Sequence, residues 1–322
     1  MKRACRIAFF LLAGAALLGV ALCGGSEWYT PAELLSPDLE AILALRLRRL
    51  VTAFLVGSAL ATGGTACQAV LRNDLADPYL LGISGGASLG AALAILTGAA
   101  MQSAFALPGG AFLGALAALA VVLFPARHGD TGNRVLLSGV IIGAISGSLL
   151  MLIISVMGHS QLNSIVWWLL GNLDGRDTAL LAAAGSFIFA GLVILVLLAR
   201  ETNALSIGAD FAHGFGVDPA RASLVLLGTA ALLAASAVSL AGVIGFVGLV
   251  VPHIARRLVG PEHRRLYPAA FFCGGVFLAL CDLGARSVYR TQELPAGVIT
   301  ALIGGPFFLY LLYRKQRAGG GQ

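Results

Sequence analysis

The chain has 322 residues, 58% hydrophobic and only 11% charged, with a mean hydropathy of +0.91 and a net charge of +6. Soluble domains carry about 25% charged residues, so the composition excludes a water-soluble globular domain. The basic residues sit in small groups at the ends of apolar runs, which argues against a nucleic-acid surface.

Lys2, Arg3 and Arg6 precede an apolar run over 7–23. A signal peptide is one reading, but Leu22 is bulky where a cleavage site wants a small residue. We therefore read the run as a first membrane span with the N-terminus inside. Residues 26–45 hold Glu27, Glu33, Asp38 and Glu40 and read as an outer loop, with a short helix begun at Pro31. Arg46-Leu-Arg-Arg49 then leads into span 2 over about 50–70. Span 3 follows at about 80–97, span 4 at 104–125 and span 5 at 135–157. The pair Trp167–Trp168 suits an interfacial helix, and span 6 runs over about 178–199. A polar insert at 200–221 is the longest inner loop and precedes span 7 at 222–240.

The next stretch, 241–265, has Gly242, Gly245 and Gly248 every third residue, which lets a neighbouring helix approach closely. Pro252 removes an amide donor and predicts a kink or an end just before the basic run. Arg256, Arg257, Arg264 and Arg265 read as a cytoplasmic edge. Span 9 covers about 268–285 and span 10 about 296–313. With ten spans, fifteen of the 21 Lys and Arg fall inside and six outside, as the positive-inside rule requires. Small residues recur four apart at Gly82/Gly86/Gly90, Gly110/Gly114 and Gly139/Gly143/Gly147, a pattern for tight helix packing. The five Cys lie in apolar segments with no CxxC spacing, so neither a disulfide framework nor a metal site is expected. The fold expected is all-α and polytopic, one transmembrane domain over 1–322.

Four blocks in order carry a specific resemblance: LRNDLADPYLLGISGGASLGA (71–91), GFVGLVVPHIARRLVGPEHR (245–264), DLGAR (282–286) and ELPAGVITALIGGPFFLYLL (293–312). They resemble the FecCD/BtuC-type permease subunits of binding-protein-dependent ABC importers for iron chelates, haem and cobalamin. The resemblance implies a type II ABC importer permease in the cytoplasmic (inner) membrane, with both termini cytoplasmic. It implies a homodimer in membrane lipid, two ATPase subunits, one extracytoplasmic substrate-binding protein and no nucleic acid.

The two lysines, Lys2 and Lys315, follow no GxxxxG loop, so this chain has no P-loop to hold ATP. It is expected to bind no cofactor, with ATP and Mg held by the partner ATPase, and to be a transport subunit rather than an enzyme. The segment at about 203–221 is the candidate docking point, because Phe211 and Phe215 would otherwise be exposed without partners. Asp218 before Pro219 reads as an N-cap. The resemblance makes Gly208, Ala209, Phe211, Ala212, Phe215, Gly216 and Val217 the ATPase-coupling residues.

Arg46, Arg48, Arg49, Arg286 and Arg290 sit outside against the charge bias, so each needs a partner. The resemblance assigns Arg46, Arg49 and Arg286 to docking acidic residues of the binding protein, although Arg48 stands where the family has Pro. It also matches Asn73, Leu75, Gly132 and Asn133 to the cytoplasmic constriction, with Asp74 where the family has Pro. A plain turn before Pro78 accounts for the same residues at 73–78. Asp282 is an intramembrane acid that reads as paired with Arg286 one turn on. Two rival functions remain: an intramembrane serine protease using Ser84 of GISG with His253, and an ion-driven secondary transporter.

Overall fold

The computed structural model describes the backbone of residues 2–124, 131–174, 177–288 and 293–319, and side chains there except at 2–9, 131–133, 311–312 and 314–319. Among the described residues there are fifteen α-helices and no strand. In order they are α1 (Lys2–Cys23), α2 (Pro31–Leu34), α3 (Glu40–Val70), α4 (Ile83–Leu96), α5 (Ala99–Gln102), α6 (Ala106–Leu123), α7 (Thr131–Val156), α8 (His159–Leu169), α9 (Thr178–Leu197), α10 (Ala199–Ile207), α11 (Ala209–Gly214), α12 (Pro219–Ala241), α13 (Val247–Val259), α14 (His263–Val288) and α15 (Ala296–Gly319).

Six segments are long and apolar enough to cross a membrane, within α3, α6, α7, α9, α12 and α14. Three shorter apolar helices, in α1, α4 and α15, together with α13, occupy the remaining predicted spans. The outer loop expected over 26–45 is shorter than predicted, because α3 begins at Glu40. No Gly or Pro interrupts residues 40–56, so nothing stops the helix from running through Arg46–Arg49. At 1.5 Å per residue its 31 residues reach about 46 Å, past a hydrocarbon core of about 30 Å.

Helix α3 is the mast of the bundle. Its most extensive contacts are with α14, α12 and α13, and from Val56 to Val70 every residue is buried. Lipid offers no hydrophobic drive between helices, so the bundle depends on close dispersion contact. Glycines supply it. A Cβ on Gly57 would overlap the carbonyl of Gly274 on α14, and a Cβ on Gly64 would overlap the backbone of Gly248 on α13. The repeats at Gly86/Gly90 and Gly110/Gly114 likewise face each other across α4 and α6, whereas Gly143 and Gly147 meet nothing within 4 Å. Buried hydroxyls on α3 are satisfied: Thr62 and Thr65 donate one turn back, and Ser58 donates to the Phe271 carbonyl at 2.7 Å.

At Pro252 the expectation is a kink or an end. Its helix does not end there but runs on to Val259, carrying Arg256 and Arg257 on its last turn. Pro252 cannot donate to the Gly248 carbonyl, and Gln68 Nε2 on α3 donates to it instead, at 3.2 Å. The break lies upstream, at 242–246, where Gly242 and Phe246 have φ of +71° and +68°. The Trp pair also divides, with Trp168 buried and Trp167 half exposed.

Gly64→Ala forces one backbone away from another and is expected to destabilise by about 1–3 kcal/mol. Gly147→Ala meets open space and is expected to be neutral or mildly stabilising. Thermal melting of the detergent-solubilised chain, read by size-exclusion chromatography, separates the two.

Candidate functional site: two polar ends of one bundle

At the end where α3 begins, arginines gather over the C-terminus of α1. The last carbonyls of a helix lack partners and carry its negative pole. Arg46 Nη1 donates to Leu22 O at 3.1 Å and Cys23 O at 2.8 Å, while Arg286 Nη2 and Nη1 donate to Ala21 O and Gly24 O, both at 3.0 Å. Arg46 Nη2 also donates to Glu27 O at 2.7 Å, and its guanidinium carbon lies 4.8 Å from the Tyr29 ring centroid.

Beside them Arg49 is a hub. Its Nε and Nη2 bind Asp282, at 3.0 and 2.9 Å to Oδ1. Its Nη1 binds Asp174 at 2.7 Å and Glu293 more closely still. Arg286 Nε completes the predicted pair with Asp282 at 3.0 Å. Asp282 and Arg286 are buried, and Arg49 is nearly so, whereas Asp174 and Glu293 are half exposed. Each of the three arginines assigned to docking is therefore already engaged inside the chain. Arg48 differs: it is exposed, and it forms no ion pair among the described residues. Arg290 lies outside the described residues.

The opposite end holds the constriction candidates. After α3, Arg72 turns the chain with φ +48°, and the Asn73 side chain accepts from Leu75 N at 3.0 Å. Asp77 caps the 3-10 turn Pro78–Leu81 by accepting from Tyr79 N at 2.9 Å. Arg256 reaches across from α13, with Nη2 donating to Gln68 Oε1 at 3.3 Å and Nη1 lying 3.5 Å from Asp74. Asn73 and Leu75 are half-buried at this junction. Gly132 and Asn133 fall in the first turn of α7, and their side chains lie outside the described residues. Burial pushes the Asp77 carboxyl up to about 6 against the lowering effect of the Tyr79 amide.

The polar insert is mostly helical rather than a loop. Its first part is α10, which is pinned to α14: Thr202 Oγ1 lies 3.0 Å from Tyr267 Oη, and Asn203 Oδ1 accepts from His263 N at 3.1 Å and sits 2.6 Å from His263 Nδ1. After an extended Gly208 comes α11, with Ala209 at its start and Ala212 buried against the body. The Phe211 and Phe215 rings lie 4.7 Å apart between centroids, tilted by 40°, and remain about half exposed. With Val217 and Ile207 they line an open apolar cleft. Gly216 turns the chain with φ +75°, and Asp218 caps α12 by accepting from Ala220 N at 3.0 Å. Spacing in the sequence pointed to α11 and to the Asp218 cap. The Arg49 hub had no such signal, since its partners lie 125, 233 and 244 residues away.

The model of the FecCD transport family matches residues 6–314. The hemin transport system permease protein HmuU of Yersinia pestis is 40% identical over 284 residues, 86% of this chain and 85% of that protein. The cobalamin import system permease protein BtuC of Halobacterium salinarum is 41% identical over 304 residues, 91% of this chain and 81% of that protein. A solved inward-facing metal-chelate type ABC transporter is 30% identical, with a TM-score of 0.86 over 95% of this chain and 99% of that one.

A carboxyl held at about 6 when folded binds more protons folded than unfolded between its ordinary value and 6. Its stabilising contribution is therefore present near pH 4 and lost as the pH rises through 6. Asp77→Asn keeps the cap acceptor and removes the titration. The wild-type melting temperature is expected to fall relative to Asp77→Asn between pH 5 and 7.5, leaving the variant with the flatter profile.

Proposed function

The chain belongs to the FecCD transport family and is an ABC importer permease, and from that premise we propose that its cargo is an iron chelate, a siderophore or haem, delivered by an extracytoplasmic binding protein. Two copies of the chain enclose the path, and two separate ATPase subunits hold ATP and Mg. The observation that carries the reading is the contacting Phe211–Phe215 pair, held out at the end opposite the arginines on a helix whose neighbour is pinned to the core. Exposed aromatic surface of this kind suits the groove of a partner protein.

The same geometry supports an orientation. Helix α1 ends and α15 begins at the arginine end, so both termini run to the coupling end, which we assign to the cytoplasm in the inner membrane. The apolar face of α7, with Leu137, Val140, Ile141 and Ile145 exposed, is available to lipid, to the path or to the second copy. Asn73 and Leu75 form the inner constriction, with Arg256 bracing their loop from α13. At the outer end Arg48, exposed and with no ion pair among the described residues, is offered to an acidic binding protein, Arg46 and Arg49 stand beside it, and Arg286 supports them from within. Cobalamin is the second cargo reading, favoured by the 41% identity to a cobalamin permease. A gradient-driven transporter would take up cargo in proteoliposomes without the ATPase, a result that would displace the whole proposal.

Phe211→Asp/Phe215→Asp is expected to lower recovery of the ATPase subunit with the permease at least about tenfold, as loss of an aromatic hot spot does, with the melting temperature unchanged. Recovery at the wild-type level would remove α11 from the coupling role. For cargo, ATPase activity of the reconstituted complex with its binding protein is measured with ferric siderophore, haem and cobalamin. Stimulation by an iron chelate is expected, and stimulation by cobalamin alone would decide for the second reading.

A further inference from the structure

The Arg49 hub joins four separate parts of the chain, and its two sides differ. One side faces inward: Nε and Nη2 hold Asp282, which Arg286 also holds, and these groups are buried. The other side faces outward: Nη1 alone holds both Asp174 and Glu293, each half exposed and each on a segment without helix. One amino group thus serves two carboxylates that water can reach, where an ion pair is weak and exchangeable.

Both outward partners belong to segments lying against the irregular stretch 242–246. Asn172 N donates to Ala241 O at 2.8 Å, and the Asn172 side chain accepts from Asp174 N at 2.7 Å. On the other side Leu294 N donates to Ala285 O at 3.3 Å, and Gly297 packs on the carbonyls of Leu170 and Val243. Arg49 therefore ties the segment after α8 and the segment before α15 across the break between α12 and α13.

We propose that Asp174 and Glu293 are internal stand-ins for the carboxylates of an acidic protein surface, and that such a surface engages this permease by exchange: its carboxylate takes Arg49 Nη1, Asp174 and Glu293 leave, and the two segments over the helix break are released. The proposal rests on the docking role given above to the arginine end and adds what docking must displace. Arg48, exposed and with no ion pair among the described residues, makes the first contact. Asp282 and Arg286 keep the hub anchored during the exchange, because they use the opposite edge of the guanidinium and the carbonyls of α1.

The test uses the full chain in nanodiscs of neutral lipid, with poly-L-glutamate as the acidic probe and sodium chloride of equal ionic strength as the control for screening. Hydrogen exchange is read at the amides of Asp174 and Leu294. Polyglutamate is expected to speed both amides in the wild type, more than salt does. Asp174→Asn/Glu293→Gln, which needs no displacement, is expected to bind the probe about fivefold more tightly, the size of the exposed pairs no longer competing. Asp38→Asn/Glu40→Gln makes the same charge change on the same end and is expected to leave affinity within about twofold of the wild type.

Unchanged exchange at both amides under saturating probe overturns the proposal. So does a gain from Asp38→Asn/Glu40→Gln equal to that from the hub variant, or an absence of probe binding to the hub variant. These readouts need neither cargo nor ATPase, so failure of the transport reading would show in the ATPase experiments and leave this result standing.

Discussion

Direct backbone contact between α3 and its neighbours is the constraint on which the structure depends. At Gly57–Gly274 and Gly64–Gly248 there is no room for a side chain on either partner. Close contact of this kind brings the Gly248 carbonyl within reach of Gln68, which is how α13 tolerates a proline in its interior. The same contact sets Arg256 over the turn that holds Asn73 and Leu75. A packing solution forced by lipid thus fixes the polar groups at one end of the bundle.

Length fixes the other end. Helix α3 is longer than the hydrocarbon is thick, so it has length to spare for a polar end, and its first three turns hold Arg46, Arg48 and Arg49. There the open C-terminus of α1 needs donors, and Arg46 and Arg286 provide them. Three of the cations set against the positive-inside bias, Arg46, Arg49 and Arg286, thereby have partners within the chain. Arg49 combines a buried anchor, Asp282, with two carboxylates open to water, Asp174 and Glu293.

Between the two ends the chain has contrasting mechanical elements. Helix α10, which leads into α11, is fixed by Thr202–Tyr267 and Asn203–His263 to α14, a helix packed along α3. Short helices α4 and α13, of 14 and 13 residues, do not reach across a bilayer by themselves, and irregular backbone beside them is sheltered by protein. Rigid long helices and interrupted short ones thus share one bundle.

Much of this was legible in the residues. Apolar runs located the spans, Asp218–Pro219 announced the start of α12, and Phe211 and Phe215 marked an exposed apolar turn, because each of these signals is local in the chain. The pairing of Asp282 with Arg286 was legible for the same reason, being one helical turn apart. What only tertiary structure decided was the role of groups whose partners are remote. Arg49 meets carboxylates from three other segments, Arg46 and Arg286 cap a helix far away in sequence, and the Gly248 carbonyl left bare by Pro252 is recovered by Gln68 from another helix, so that the predicted break moved upstream. Sequence spacing reports which groups lack a local partner, while only the fold brings the distant one within hydrogen-bonding distance.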